Sequence, residues 1–139
     1  MKAEIAMSWR VALFALLALI ALPFSAQAAA ELVDPDPVAV PKGLSMDTVA
    51  SDIKRALIGR GWIVANEAPG KIDATLHLRS HVARVAIEFD ESTVRLSYVS
   101  SDNLDYREKR GKRYIHKNYL SWVSNVLTDL SRNLQLSAL

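Results

Sequence analysis

The chain of 139 residues contains no cysteine, so no disulfide can hold its fold, no thiol can act as nucleophile or metal ligand, and no lipobox cysteine can carry an acyl chain. With five glycines and five prolines, the sequence shows no glycine-rich phosphate loop and no G-x-S-x-G elbow, and Gly59-Arg60-Gly61 reads as a helix stop rather than a cofactor turn. The longest apolar run, Val11 to Leu22, is twelve residues, well short of the ~20 a spanning helix needs. Charge of one sign is also lacking: the formal net charge is +2, which implies no broad polyelectrolyte partner, and nucleic acid is not expected.

What the N-terminus does contain is a short charged start with Lys2 and Arg10, the apolar run, then Pro23 and Ala26-Gln27-Ala28. That order is a secretory signal peptide cleaved after Ala28, which predicts a periplasmic protein with no stable membrane span after cleavage. Removing residues 1–28 takes away Lys2, Arg10 and Glu4 and leaves a net charge of about +1.

Residues 29–44, with Pro35, Pro37 and Pro41, are expected to be an extended or disordered lead-in, since proline restrains itself and the residue before it. A single α+β domain is expected over residues 45–139. Its first element is a helix from Met46 to Ile58, N-capped by Ser45, with Met46, Val49, Ala50, Ile53 and Leu57 on the apolar face and Asp47, Asp52, Lys54 and Arg55 on the solvated remainder. Gly59 or Gly61 supplies the stop.

From Trp62 the period becomes two. Ile72, Ala74, Leu76 and Leu78, then Ala83, Val85, Ile87 and Phe89, then Val94, Leu96 and Tyr98 alternate with polar residues, as in strands with one buried face. A turn at Ser80-His81 would set Leu78 opposite Ala83, Leu76 opposite Val85 and His77 opposite Arg84. A turn at Glu91-Ser92 would set Phe89 opposite Val94 and Glu88 opposite Arg95. For the first strand, a bulged Pro69-Gly70 turn would bury Trp62 and Val64. The last element is an amphipathic helix from Tyr114 to Leu134, with Ile115, Tyr119, Trp122, Val123, Val126, Leu127, Leu130 and Leu134 on one face; burying them supplies well over ~10 kcal/mol of gross stabilisation. The expected architecture is a two-layer sandwich: a four-stranded antiparallel meander with the N-terminal and C-terminal helices packed on one face (α-β-β-β-β-α).

Chemistry is expected between the last strand and the final helix. Ser100 to Arg113 has no clear period and falls into a half rich in local-turn residues, with Leu104 and Tyr106 to pin it, and a basic half around Gly111. Ser101, Asp102, Asn103, Tyr106, Lys109, Arg110, Lys112 and Arg113, with His116 and Asn118 at the start of the helix, are the candidate ligand- or partner-binding residues. The basic half reads either as a site for an anion of the cell envelope (lipid phosphate, acidic polysaccharide or acidic protein) or as a solvated hairpin tip. No cofactor, metal site or catalytic residue is expected, because His77, His81 and His116 lie far apart in the expected register.

The combination of Ala56-Leu57-x-x-Arg60-Gly61-Trp62, an alternating strand pair, Tyr98-Val-Ser-Ser-Asp-Asn-Leu104 and Ile115-His-Lys-Asn-Tyr119 followed by Trp122 resembles a group of small exported proteins and lipoproteins of Gram-negative bacteria. The resemblance covers most of the chain after Ala28 and implies a periplasmic location; it brings no activity or catalytic residue with it. The leading expectation is a small periplasmic protein acting by binding or protein interaction. The alternatives are a metal-dependent or hydrolytic envelope enzyme using residues 100–122, with Asp102 and His116, and a self-assembling structural protein.

Overall fold

The computed structural model describes residues 28–139, so residues 1–27 of the expected signal peptide lie outside it. In chain order the elements are β1 (Ala29–Glu31), β2 (Val38–Ala39), α1 (Met46–Gly59), β3 (Ile63–Ala68), β4 (Lys71–Leu78), β5 (His81–Phe89), β6 (Thr93–Asp102), β7 (Arg107–Lys109), β8 (Lys112–His116) and α2 (Lys117–Ser137). Two antiparallel sheets result: a five-stranded one in the order β2-β6-β5-β4-β3 and a three-stranded one in the order β1-β8-β7. The class is α+β with two helices, as expected, but the four-stranded meander is only the middle of a larger arrangement.

The difference lies in residues 29–44 and 100–116. The proline-bearing segment is extended, and each of its ends adds a strand, β1 to one sheet and β2 to the other. Between them Leu32 is buried, and Asp34 accepts the Tyr98 N–H at 2.9 Å, standing in for a strand partner where β2 does not reach. This segment therefore belongs to the fold. Tyr114 and Ile115, expected as the first helical residues, are in β8, and the helix begins three residues after Tyr114. Ile115 is fully buried as expected, but from a strand.

Ser45 caps α1 by accepting the Thr48 N–H at 3.2 Å, and Gly61, at φ 84°, carries the left-handed turn after the helix. The two helices lie antiparallel on the apolar face of the larger sheet. Val49, Ile53 and Leu57 from α1 and Tyr119, Val123, Val126, Leu130 and Leu134 from α2 meet Ile72, Ala74, Leu76, Val85, Ile87, Val94 and Leu96 from the strands. Polar links hold the helices in register, among them a hydrogen bond from Asn133 Nδ2 to the Asp52 carbonyl at 3.2 Å. Arg60 grips both oxygens of Asp129, at 2.7 and 3.1 Å, and Ser137 Oγ donates to Asp52 at 2.7 Å. Asp52, expected on the solvated surface, is 1% exposed because its position faces the second helix.

The β5–β6 hairpin has the expected register, with Phe89 opposite Val94 and Glu88 opposite Arg95. The β4–β5 hairpin does not: its turn is at Arg79-Ser80, so Leu78 meets His81, Leu76 meets Ala83, and Arg84 meets Thr75 rather than His77. A slip of two residues preserves which side chains face the core, so the apolar pattern cannot detect it. Trp62 is buried and Val64 packs against the core, as expected, but the bulge that places them is at Ala65 inside β3, not in the turn. Pro69-Gly70 forms a plain two-residue turn with Gly70 at φ 72°.

Candidate functional site

The residues from Ser100 to Asn118 do not form one irregular loop. Ser101 and Asp102 end β6, Asn103 to Tyr106 make a connection, and Arg107 to His116 make a tight hairpin closed by Arg110-Gly111. Both turn residues have positive φ, 54° and 76°, the requirement of a type I′ turn.

The polar half of the stretch is knitted into the fold. Ser101 shares a 2.7 Å hydrogen bond with Tyr98 Oη. Asp102 accepts from Arg84 at 2.8 Å, and that contact holds its carboxyl below the usual carboxylate value. Asn103 donates to Ser80 Oγ, while its carbonyl accepts from His81 Nδ1 at 2.6 Å. Leu104 is buried, and its carbonyl accepts the His116 N–H at 2.8 Å. Tyr106 stacks on Tyr98 with ring centroids 4.9 Å apart, and its hydroxyl donates to Glu108, which raises its pKa. At the start of α2, His116 Nδ1 accepts the Asn118 N–H at 3.1 Å, so the imidazole caps the helix; Asn118 itself is exposed. No hydrogen bond joins Asp102 to His116, and no three potential metal ligands converge among the described residues.

The basic half is different. The pairing Arg107 with Tyr114, Glu108 with Arg113 and Lys109 with Lys112 sorts the hairpin into two faces. Arg113 and Glu108 share the face of buried Ile115, and Arg113 lies 3.6 Å from Asp34. Arg107, Lys109, Lys112 and Tyr114 share the opposite face, with Arg110 at the tip. Across β8 the same face continues to Ala29 and to Glu31, its one acid. Among the described residues no carboxylate pairs with Arg107, Lys109, Arg110 or Lys112. A surface recess of ≈ 520 Å³ is lined by Ala29, Arg107, Lys109, Arg110 and Tyr114.

Thus the expected set divides. Lys109, Arg110 and Lys112 come together at the hairpin; Ser101, Asp102, Asn103 and Tyr106 serve the connection; Arg113 turns inward; and His116 caps the helix. Arg107 and Tyr114 were not among the expected site residues. The signal for them was available in Arg-x-Lys-x-Gly-Lys-x-Tyr, a period of two reflected about a glycine turn. Compared with known proteins, the chain matches no family model, no curated protein and no solved structure.

Proposed function

We propose that this chain is a small periplasmic binding protein whose β7–β8 hairpin recognises an anionic component of the cell envelope. The observation that carries the reading is the arrangement of Arg107, Lys109 and Lys112 on one exposed face, with Arg110 at the tip and a single acid, Glu31, at the far edge. Lys109 and Lys112 stand directly opposite each other, an unfavourable cross-strand pair that a bound anion relieves. Arg110 adds a cation at a left-handed position where asparagine would fit with less strain. Both features cost stability in the free protein and are consistent with selection for charge at this place. The signal-like N-terminus and the resemblance to exported bacterial proteins support the location.

The direct test is binding of a fluorescent polyphosphate chain followed by anisotropy, comparing the wild type with Arg107→Gln/Lys109→Gln/Arg110→Gln/Lys112→Gln. The expected outcome is a Kd raised by at least ~10-fold in the variant and by added salt, because exposed charges act through screened Coulomb attraction. Equal binding by the two proteins, both shown to be folded by circular dichroism, removes the hairpin from this role.

A further inference from the structure

The shape of the basic face and its place in the chain narrow the anion further. We infer that the outer face of the β1-β8-β7 sheet docks on the headgroup surface of an anionic lipid bilayer; this rests on the reading of that face as an anion-binding surface.

The first argument is geometric. Arg107, Lys109, Arg110 and Lys112 are all exposed side chains carried on one hairpin, and neighbouring positions on its outer face are separated by about 5 Å across strands and about 7 Å along one. Such a grid does not close around one small anion. It matches an extended surface that presents many phosphates at once, with each long side chain free to reach a different headgroup. Tyr114, half buried in the same face, adds an amphipathic ring of the kind enriched at membrane–water boundaries.

The second argument is one of position. β1 is the outer strand of this sheet, and Ala29 lines the recess together with Arg107, Lys109, Arg110 and Tyr114. In the sequence, the apolar run Val11–Leu22 ends seven residues before Ala29. Seven residues reach at most about 25 Å. Before cleavage after Ala28, a chain with that run seated in a bilayer therefore holds the basic hairpin close to the same membrane, so that the hairpin is released beside it. A free polysaccharide or an acidic protein would gain nothing from that placement. The remainder of the protein has nearly balanced charge, so attraction acts at one face and orients the molecule.

The test uses the full chain and measures partition onto vesicles of phosphatidylcholine alone and of phosphatidylcholine with about a third phosphatidylglycerol, by flotation, at low and high salt. Insertion of the apolar run contributes to both compositions and Lys2 and Arg10 add to the anionic one, so the part of the difference that the hairpin substitutions remove reports the hairpin. The wild type is expected to prefer the anionic vesicles, with about fivefold of that preference lost for each of Arg107, Lys109, Arg110 and Lys112 changed to glutamine, and most of it lost at high salt. Arg95→Gln, on the larger sheet, should leave the preference unchanged. Equal partition of the wild type onto both compositions overturns the inference. If polyphosphate binding by the wild type persists in that case, the anion-binding reading stands and only the bilayer is lost. If the quadruple variant loses polyphosphate binding but keeps its lipid preference, the membrane contact lies elsewhere and the inference again fails.

Discussion

Arg110 occupies left-handed backbone at φ 54°, the first position of a turn whose second position is Gly111. Asparagine tolerates that conformation with less strain, and Asn-Gly is the preferred pair for this turn. Arg110→Asn is therefore expected to stabilise the protein by about 0.5–1 kcal/mol in a denaturant titration. If the hairpin binds anions, the same substitution weakens polyphosphate binding, so stability and binding move in opposite directions. A gain or loss in both together would show that strain at Arg110 is unrelated to binding. Tyr119 gives the complementary case. Its hydroxyl is buried without a hydrogen-bond partner, and burial pushes its pKa up. Tyr119→Phe removes an unsatisfied polar atom while retaining the ring that meets Tyr98 edge-on, so its melting temperature should be unchanged or higher. Gly70 behaves in the opposite way. An added Cβ would lie 3.1 Å from the Phe89 carbonyl oxygen at a φ of 72°, and Gly70→Ala should cost at least ~1 kcal/mol in the same assay.

At the scale of elements, the segment between β1 and β2 is a strap joined to both sheets, and Asp34 is its central tie. One carboxylate oxygen accepts the Tyr98 N–H and the other faces Arg113. Asp34→Ala should therefore accelerate hydrogen exchange at the Tyr98 amide and loosen the inward face of the hairpin, while leaving amides of the β4–β5 pair protected. Uniform acceleration across both sheets would show that the strap acts on global stability alone. Strap and hairpin are also the elements least legible in the sequence. Helices α1 and α2 announce themselves because a run such as Val49, Ile53 and Leu57 repeats over several turns, and β4 to β6 because alternation persists for eight to ten residues. β1 and β7 are three residues long and β2 is two, too short for any period to register. Their pairing depends on partners distant in the chain: Ala29 with His116, and Val38 with Val94. The basic cluster was visible as composition. Its division into an outward set and an inward Arg113 required the register.

Two tests belong to the whole molecule. Hydrogen bonds from Arg60 to Asp129, from Arg84 to Asp102, and from the Thr93 and Ser92 N–H groups to Asp90 all hold folded-state carboxyl pKa values below the ordinary value. Because these groups release their protons more readily when folded, their stabilisation is complete above the unfolded pKa of about 3.9 and is lost as pH falls through the lower folded values. Stability should thus decline below about pH 4, and Asp129→Asn, which lowers stability at neutral pH, should make that decline shallower. An equal slope in both proteins would assign the acid sensitivity to other groups.

The second test concerns where the folding unit begins. Leu32 is 3% exposed and Val40 9%, and burial of an aliphatic side chain contributes about 1.5–3 kcal/mol. Asp34, β1 and β2 add their hydrogen bonds. A chain starting at Ser45 would lose all of these, and would also uncover the Tyr98 N–H and the outer edge of β8. It should be less stable than one starting at Ala29 by at least ~3 kcal/mol, a large part of the 5–15 kcal/mol available to a small domain. The chain starting at Ala29 keeps its strand pairing but loses the Ala28 carbonyl, which accepts the Lys117 N–H at 2.8 Å at the first residue of α2. Its own deficit relative to the full chain should be confined to about 1 kcal/mol and to fraying of that first helical turn, visible as faster exchange at Lys117. Equal stability of the chains starting at Ser45 and Ala29 would reduce the strap to a passive lead-in; a marked order, with the Ser45 chain unfolding first, makes residues 29–44 part of the cooperative unit that presents the basic face.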